Sequence, residues 1–339
     1  MHRKIAFVQH GNWTFVRSLN SLQVETQGSV VSVGSFDGVH RGHQAVLRAV
    51  VNRAEQFGLP AVAMTFEPQP REFFAEERAP ARLMRLREKI EALVALGLDR
   101  VVCLQFNRAL RGLSADEFIV RVLVDGLRVK HLIVGDDFRF GCDRSGDLGM
   151  LCDYGKRYNF TVQDTQTLET QGERISSTLV RKTIEQGDFE RVAELIGRPF
   201  SIKGRVVHGQ QLGRKLGFPT ANVQLHRYRA PLSGVFAVYV TVANRTFVGA
   251  ANVGVRPTIG EGLKPLLEVH LLDFSGDLYG QFVSVEFVRK IRDEKKFNDL
   301  DDLVCRIRKD IQEITRWFAK HQPRTANMTP TSQTSDTHD

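Results

Sequence analysis

The chain has 339 residues, of which 42% are hydrophobic and 25% charged, and its formal net charge at pH 7 is +8. This length exceeds what one hydrophobic core usually supports, so we expect two domains. No apolar run approaches the roughly 18 residues of a membrane span, and the first residues do not resemble a signal peptide. The four cysteines form no close pair, which disfavours a zinc site and favours the reduced thiols of a cytoplasmic protein.

The positive charge is compatible with several partners: nucleic acid, an acidic membrane surface or phosphorylated small molecules. Lys and Arg are scattered along the chain and form no dense block interleaved with aromatic residues. A solvated basic surface explains most of them. We therefore expect small-molecule substrates and neither nucleic acid nor membrane, and a basic nucleic-acid-binding protein stays as a minor alternative.

Short apolar strands alternate with amphipathic helices through the first half of the chain. The predicted strands are 29–33, 60–66, 101–106 and 131–134, and the predicted helices follow His40, cover 83–97 and start at Ser114. Such alternation predicts a parallel sheet with helices on both faces. Ligands of these sheets bind at the carboxyl ends of the strands, so we expect the chemistry in the loops that follow the strands.

The second half has a different pattern. Two short helices end near Gly187 and Gly197, and short β-rich segments separated by Gly, Pro or Asn follow. These segments are 201–208, 234–243, 246–253, 266–274 and 281–288, and they predict an antiparallel barrel or sandwich. An amphipathic helix is predicted from Leu300 to Lys320. The polar tail from Pro323 is predicted to be disordered.

Residues 34–43 carry the first candidate site, in a strand–turn–helix context. His40 and His43 lie three residues apart at a helix start, where backbone N–H groups favour anions. Gly38 and Gly42 would let phosphates approach the backbone. Histidine pairs are often incidental, but this context favours phosphate binding.

Three further segments could bind phosphate or carry acid–base chemistry. Residues 175–181 and 135–141 could be an ordinary helix cap and a turn. The Gly-rich and basic segment 209–222 could be a hairpin loop, or could wrap phosphates and offer the oxygens of Thr220 and Asn222 to Mg²⁺. Glu268 is either a general base or a solvated carboxylate, because alternation alone does not say which face of its strand is inner.

Residues 34–43 contain the HxGH signature of the nucleotidyltransferase superfamily. The longer string GxFDGxHxGHQ resembles the prokaryotic bifunctional riboflavin kinase/FMN adenylyltransferase (FAD synthetase) family. The strings ISSTxxR, GxDFxFG and GRxLGFPTAN of that family also match, in the family's order, from about Ser18 to Phe318. Two positions depart from the usual pattern: Gln69 stands where many relatives have His, and Ser35 where Asn or Thr is commoner.

The resemblance implies an α/β + β architecture: a Rossmann-like nucleotidyltransferase domain at 15–186, an antiparallel Greek-key riboflavin kinase barrel with a terminal helix at 187–321, and a disordered tail at 322–339. It implies that ATP phosphorylates riboflavin to FMN and then adenylylates FMN to FAD. Mg²⁺ is the implied cofactor, and a cytoplasmic monomer or weak homo-oligomer is expected. The alternative is an adenylyltransferase for another phosphorylated substrate with a regulatory flavin-binding domain.

The resemblance also assigns roles to individual residues. Glu268, His40 and His43 are the implied catalytic residues, and Asp137, Phe138 and Phe66 the flavin and adenine loops. Phosphate binding in the kinase domain falls on Thr220, Asn222, Gly213 and Gly217, with Thr220 and Asn222 as metal ligands. The triphosphate of the adenylyltransferase domain is assigned to Ser176, Ser177, Thr178, Arg181, Gly34, Gly38 and Gly42.

Overall fold

The structure is a computed structural model that describes residues 7–10, 13–17, 27–165, 167–209, 211–258, 262–297 and 299–321. Residues 322–339, for which disorder is predicted, lie outside the described residues. The contacts divide the chain into two compact units. The first unit comprises Met1–Phe200, His226–Leu232 and Pro257–Pro265, and the second comprises Ser201–Leu225, Ser233–Arg256 and Leu266–Asp339.

The first unit is built on a seven-stranded sheet with the strand order β1-β2-β5-β4-β3-β6-β7. Its strands are β1 (Phe7–His10), β2 (Trp13–Val16), β3 (Ser29–Val33), β4 (Ala61–Glu67), β5 (Arg100–Gln105), β6 (Val129–Gly135) and β7 (Thr161–Thr165). β1 pairs antiparallel with β2, and the other neighbouring strands of this sheet pair in parallel. The predicted parallel sheet is confirmed, with additional strands at its edges.

Helices cover both faces of this sheet. They are α1 (Arg41–Phe57), α2 (Pro70–Ala75), α3 (Leu86–Val94), α4 (Arg108–Arg111), α5 (Ala115–Glu117, continued by π-helical turns over Phe118–Gly126), α6 (Leu148–Tyr158), α7 (Ser177–Gln186) and α8 (Phe189–Ile196). A hairpin, β8 (Glu169–Thr170) and β9 (Glu173–Arg174), precedes α7. Successive residues of β3 pack in different cores: Val30 lies in the core with Leu47 of α1, and Val31 lies in the other core. This alternation produces the three layers.

Helix α3 is shorter than the predicted helix 83–97. It begins at Leu86, because the preceding Leu83 and Met84 donate their backbone N–H groups to the carboxylate of Asp37. These two amides bind a side chain that is distant in the sequence. Helical periodicity does not contain this information, so it did not predict that α3 begins at Leu86. By contrast, the predicted Ser114 cap is confirmed: Ser114 and Glu117 form a capping box.

The second unit is a closed six-stranded barrel with the strand order β10-β11-β14-β13-β12-β15. The strands are β10 (Ser201–Val207), β11 (Ala221–Val223), β12 (Gly234–Val242), β13 (Arg245–Thr258), β14 (Gly262–Leu271) and β15 (Phe282–Arg292), with helices α9 (Leu212–Lys215) and α10 (Leu300–Lys320). The pairs with a described register are antiparallel. The predicted barrel and its terminal helix are confirmed.

Helix α10 packs against part of the outer face of the barrel. Ile314 and Phe318 of α10 contact Ala237 of β12, and Tyr239, Val248 and Leu272 extend this cluster. Neighbouring residues of β12 such as Val238 and Val240 lie on the opposite side of the strand and are fully buried. The helix therefore marks which face of each strand points away from the barrel core.

Candidate active sites

The first candidate site lies where α1 begins, after β3. His40 is the N-cap of α1, and its Nδ1 accepts a hydrogen bond from the backbone N–H of His43 at 3.3 Å. The two imidazole rings stack with their centroids 3.6 Å apart. His40 is buried, with 5% of its surface exposed. The structure brings the two predicted histidines together at a helix N-terminus, where the helix dipole and backbone N–H groups favour anions.

Both histidines are neutral at pH 7. Burial lowers the pKa of His40 to about 4; Asp37 opposes this shift, whereas Arg174 and Arg181 add to it. Burial is also the largest cause that holds the pKa of His43 well below its ordinary value. Nδ1 of His43 is buried and has no hydrogen-bond partner among the described residues. A neutral imidazole keeps one N–H donor, so the pair can donate to a phosphate oxygen without carrying a charge.

A buried carboxylate, Asp37, organises the turn before the histidines. Asp37 is 2% exposed and accepts hydrogen bonds from the backbone N–H groups of Leu83 and Met84 at 3.1–3.2 Å. It also forms an ion pair with Arg181, whose Nε donates to the carbonyl of Ala81 at 2.6 Å. Sequence reasoning assigned Arg181 to the nucleotide but missed Asp37. The signal was present as an Asp inside the FDG string, next to a predicted buried strand.

The start of α7 reaches the same turn. Ser176 is the N-cap of α7 and accepts a hydrogen bond from a backbone N–H of the first turn at 3.1 Å. The hydroxyl of Ser177 donates to the carbonyl of Asp37 at 2.9 Å. Thr178 is exposed. The cap interpretation of this segment is thus observed for Ser176, and the two serines and Arg181 lie at the turn that carries His40.

The glycines of the motif are close to other protein atoms. Gly38 has a φ of +83°, and a Cβ there would lie 2.7 Å from Cδ1 of Leu83. A Cβ at Gly42 would lie 3.2 Å from the His40 ring, and one at Gly34 would meet a neighbouring phenyl ring at 3.0 Å. Close packing alone therefore favours glycine at Gly38. The contact of Gly34, Gly38 and Gly42 with phosphate stays a prediction.

A buried lysine and a half-buried arginine near this turn were not predicted from the sequence. Lys89 of α3 is 1% exposed, and its ammonium donates to the carbonyl of Ser35 at 2.6 Å. Burial lowers the pKa of Lys89 against the opposing effect of nearby carboxylates. Burial disfavours the charged form of Arg82, but its ion pairs with Glu72 and Glu67 outweigh burial and raise the pKa of its guanidinium. On the sequence, both cations look like ordinary polar residues around an amphipathic helix.

Aromatic side chains surround the end of β4. Phe66 and Phe106 pack edge to face with centroids 5.8 Å apart, and Phe106 also contacts Phe73 and Phe74. Phe74 is 59% exposed. An exposed aromatic cluster at a carboxyl edge of the sheet offers a stacking surface for a planar ring. Within this aromatic cluster, only Phe66 was predicted from the sequence to contact a ligand.

The other predicted flavin loop follows β6. Phe138 stacks on Phe140 at 5.5 Å, and the exposed Asp137 forms an ion pair of 2.9 Å with Arg174. Gln69, the position that departs from the family, is the N-cap of α2 and is buried. Its Nε2 has no hydrogen-bond partner among the described residues.

The second candidate site lies on the barrel, where the Gly-rich segment runs into β11. A Cβ at Gly213 would lie 2.4 Å from the carbonyl oxygen of Phe218 and 3.2 Å from the hydroxyl of Thr220, whereas Gly217 has a φ of +87° and open space around it. Asn222 is 6% exposed, and its Oδ1 accepts no hydrogen bond from the described residues. A buried acceptor normally has a partner, so Asn222 is suited to a ligand.

Glu268 lies beside Asn222, because the two residues are direct neighbours in the β11–β14 register. Residues opposite each other on paired strands project from the same face. Leu267 and Val269 of β14 are fully buried, whereas Glu268 and His270 are half-buried. Since Leu272 on the face of Glu268 packs in the α10 cluster, Glu268 projects from the outer face of the barrel. Burial thus answers the question that strand alternation left open.

A cavity of about 570 Å³ adjoins this face of the barrel. Its lining includes Phe218, His270 and Leu272, with Ile311 and Phe318 of α10. Nδ1 of His270 interacts with the carbonyl of Pro219 at 2.8 Å. Sites for drug-sized ligands have volumes of about 300–1,000 Å³ and mostly apolar walls.

Neither unit shows a preformed metal cluster: in the part of the chain that the structure describes, no three His, Cys, Asp or Glu side chains group at ligand distance. The hard oxygen donors of Thr220 and Asn222 fit Mg²⁺, which is bound through few protein ligands together with water and substrate phosphates.

No helix among the described residues is long and apolar enough to cross a membrane.

Comparison with known proteins assigns the chain to a family. The FAD synthetase family model matches residues 22–179, and the riboflavin kinase family model matches residues 196–318. A bifunctional riboflavin kinase/FMN adenylyltransferase of Pseudomonas fluorescens is 52% identical over 296 residues, which are 87% of this chain and 95% of the relative. The Escherichia coli enzyme of the same name is 46% identical over 310 residues, or 91% and 99% of the two chains.

The fold has a solved counterpart over almost its whole length. A crystal structure from Streptococcus pneumoniae, described as a macrolide-efflux protein, superposes with a TM-score of 0.74 and 31% identity. The match covers 89% of this chain and 98% of the pneumococcal one. With two family models in this order and relatives covered over nearly their full length, the chain belongs to the bifunctional riboflavin kinase/FMN adenylyltransferase family.

Proposed function

We propose that the protein makes FAD from riboflavin in two steps. In the first step, the γ-phosphoryl group of ATP passes to riboflavin, giving FMN and ADP. In the second step, FMN attacks the α-phosphorus of another ATP, giving FAD and pyrophosphate. The observation that carries this proposal is that each family motif lies at a separate, structurally coherent site: His40 with His43 at the start of α1, and Asn222 with Glu268 across β11 and β14.

We assign adenylyl transfer to residues 15–186 and riboflavin phosphorylation to residues 187–321. The family models at 22–179 and 196–318 support this division. By its contacts, however, the first unit extends to Phe200. Helix α8 therefore packs with the first unit although it lies beyond the proposed adenylyltransferase segment.

Adenylyl transfer needs no protein base in this proposal, because the phosphate of FMN is an anion at pH 7 and is itself the nucleophile. The protein's task is to orient the triphosphate and to neutralise the charge on the reacting phosphorus. Neutral His40 and His43 donate hydrogen bonds, while the α1 N-terminus and Arg181 supply positive potential. Ser176, Ser177 and Thr178 line the nucleotide, and the Gly34, Gly38 and Gly42 backbone approaches its phosphates.

The flavin of the adenylyl-transfer step stacks on the aromatic residues at the sheet edge. Phe66 and Phe138 are the proposed contacts, together with the cluster that extends to Phe74. Asp137 is the polar partner in the loop after β6. A planar ligand gains binding free energy on such an aromatic surface, because stacking adds to the burial of apolar area.

In the kinase step, Glu268 accepts the proton of the ribityl 5′-hydroxyl as that oxygen attacks the γ-phosphorus. Thr220 and Asn222 would hold Mg²⁺, with Gly213 and Gly217 shaping the phosphate loop. When bound, Mg²⁺ neutralises charge on the phosphates of ATP. The cavity beside β14 accommodates the isoalloxazine ring. Thr220, Asn222 and Glu268 are all present, which disfavours the alternative of a second domain that binds flavin only for regulation.

We also propose that the enzyme is cytoplasmic and acts as a monomer or weak homo-oligomer. All four cysteines lie in described parts of the chain and are free thiols, as expected in a reducing compartment. Sedimentation at several protein concentrations, with and without ATP, tests the oligomeric state.

A product assay tests the two-site assignment. The purified protein is incubated with riboflavin, ATP and Mg²⁺, and flavins are separated by chromatography for the wild type, the double variant His40→Ala/His43→Ala and Glu268→Ala. We expect the wild type to make FAD and the histidine variant to stop at FMN. The Glu268 variant should lose most riboflavin phosphorylation but convert added FMN to FAD. Absence of both flavin nucleotides with the wild type would contradict the proposed function.

A further inference from the structure

Two arginines that fall within the riboflavin kinase match support the nucleotide motif of the first unit, Arg198 by direct contact and Arg227 through residues 81–88. Arg198 and Arg227 both lie in the range 196–318, yet both belong to the first compact unit. Arg227 does so because the segment His226–Leu232 leaves the barrel part of the chain and packs within that unit. These contacts are unexpected if each activity depended only on its own stretch of sequence.

Arg198 holds the backbone of the histidine motif directly. Its guanidinium donates to the carbonyl of Gly38 at 2.7 Å and to that of Val39 at 3.3 Å. It also donates to the carbonyl of Ile196 at the end of α8, at 3.0 Å. The turn immediately before His40 is therefore tied to α8 through one side chain.

Arg227 holds the segment that carries Asp37. Its side chain is fully buried, and Nη2 pairs with Glu88 at 3.0 Å, while Nη1 donates to the carbonyl of Arg82 at 3.0 Å. Glu88 accepts from the backbone N–H of Arg85 at 2.7 Å, so it caps the start of α3. A planar guanidinium presents its donors on separate nitrogens in a fixed geometry, so Arg227 makes both contacts at once.

These contacts connect Arg227 to the proposed reaction centre in two steps. Residues 81–88 form the segment that Arg227 holds, and the Leu83 and Met84 amides of this segment bind the carboxylate of Asp37. Asp37 in turn pairs with Arg181, which also donates to the carbonyl of Ala81. A shift of residues 81–88 would therefore move Asp37 and Arg181 together.

We propose that Arg227, a residue from within the kinase match, is a positioning residue for adenylyl transfer: it holds residues 81–88 so that Asp37 and Arg181 keep their places beside His40. This inference rests on the proposed function. It makes the adenylyltransferase site incomplete without a segment encoded between two barrel strands. It also predicts that a change in this segment affects FAD formation while riboflavin phosphorylation continues.

The test compares variants of the full chain in two separate assays, FMN plus ATP to FAD and riboflavin plus ATP to FMN. Arg227→Met should lower kcat/KM for ATP in FAD formation at least tenfold, whereas KM for FMN and the kinase activity should stay within twofold of the wild type. Arg227→Lys should recover part of this loss, because it keeps the charge without the forked geometry. Arg229→Met is the matched control: Arg229 is exposed in the same segment and should have wild-type activity.

A second variant excludes a trivial loss of folding. Arg227→Met removes one ion pair of the buried Glu88, which keeps its contacts with Arg85. Loss of one partner of a buried ion pair can destabilise a fold strongly. The double variant Arg227→Met/Glu88→Gln removes both charges, and it should lose about as much FAD formation as Arg227→Met alone. In a Trp317→Phe background, it should retain the wild-type fluorescence of Trp13. Non-additive losses of this kind identify residues that act as one unit.

Three outcomes are decisive. Wild-type FAD formation by Arg227→Met and by the double variant overturns the inference. A parallel fall of both activities, with no recovery in Arg227→Lys, also overturns it, because it indicates general loss of structure. If the wild type itself fails to adenylylate FMN, the proposed function is contradicted, and the inference falls with it.

Discussion

The two proposed phosphate-transfer sites handle charge in different ways. At the first site, His40 stacks on His43 and Asp37 is saturated by two amides and Arg181, although Nδ1 of His43 has no hydrogen-bond partner among the described residues. At the second site, the buried Oδ1 of Asn222 has no hydrogen-bond partner among the described residues, and Glu268 is the direct neighbour of Asn222 across β11 and β14. A preorganised set of donors suits a reaction whose nucleophile is already an anion. A hydroxyl nucleophile, by contrast, needs a base.

This difference also shows in where the supporting residues come from. The first site draws on β3, α1, α3 and α7, and on the two arginines Arg198 and Arg227, all within one compact unit. The second site depends on one pair of neighbouring strands and the Gly-rich segment beside them. Mutations far along the sequence should therefore affect the first site more often than the second.

The largest effect should come from removing the proposed base of the second site. Glu268→Gln keeps the size of the side chain but cannot accept a proton, so kcat for riboflavin phosphorylation should fall about 100-fold or more. Conversion of added FMN to FAD should not change. Glu313→Gln, an exposed carboxylate on α10, is the matched control. Equal activity of the two variants in a coupled ADP-release assay would contradict the role of Glu268.

The next largest effect should come from the saturated carboxylate of the first site. Asp37→Asn removes the charge that pairs with Arg181, and hydrogen bonds to charged groups are worth about 1.5–3 kcal/mol. We therefore expect kcat/KM for FAD formation from FMN to fall about tenfold to 100-fold, with no change in riboflavin phosphorylation. Asp164→Asn, on the exposed side of β7, provides the control. A loss of riboflavin phosphorylation without a loss of FAD formation would contradict the placement of Asp37 at the adenylyl-transfer site.

The buried His40 should make the stability of the first unit sensitive to mild acid. The pKa of His40 is about 4 in the folded chain against an ordinary value of 6.5, so the unfolded state binds more protons between these values. The free energy of unfolding should therefore fall as pH decreases from 7 to 5, by about 2 kcal/mol for His40 alone. His40→Gln should remove that part of the pH dependence.

Urea denaturation at pH 7 and pH 5 measures this effect. The chain has two tryptophans, so a Trp317→Phe background leaves Trp13 of β2 as the reporter of the first unit. An identical pH dependence in the wild type and in His40→Gln would show that His40 is not buried in its neutral form. Adenylyl transfer itself should be nearly independent of pH between 6 and 8 as far as His40 is concerned.

The smallest predicted effect compares one helix cap in each unit. Ser176→Ala removes the cap of α7 and Asp299→Ala the cap of α10; each should lower the free energy of unfolding by about 1 kcal/mol. Because only Ser176 lies at a proposed nucleotide site, only Ser176→Ala should also raise KM for ATP in FAD formation. Equal kinetic effects of both changes would leave Ser176 with a cap role alone.

Local signals in the sequence predicted much of this molecule. Alternating strands and helices predicted the parallel sheet, because each element must bury its apolar face. The short turn-bounded strands of the second half predicted the barrel together with its terminal helix. Ser114 was predicted as a cap from the Ser-x-x-Glu spacing, and the structure has this capping box. The motif strings identified the family and placed His40 and His43 together at one helix start.

Patterns along the chain did not predict the elements that depend on distant partners. Strands β1, β2 and β7 were not predicted: the first two are only four residues long, and β7 is polar because it lies at the sheet edge. The start of α3 was predicted too early, since two of its expected amides bind Asp37 instead.

The amino-acid sequence was sufficient to identify the family, the two fold classes and the candidate site residues, because these depend on local pattern and on motif identity. Only the folded structure shows that Glu268 projects from the outer face of β14 beside Asn222, that His40 is buried and both histidines are neutral, and that Arg227 supports residues 81–88. The physical reason is that burial, pKa and ion pairing depend on residues far apart in sequence, which meet only once the chain has folded.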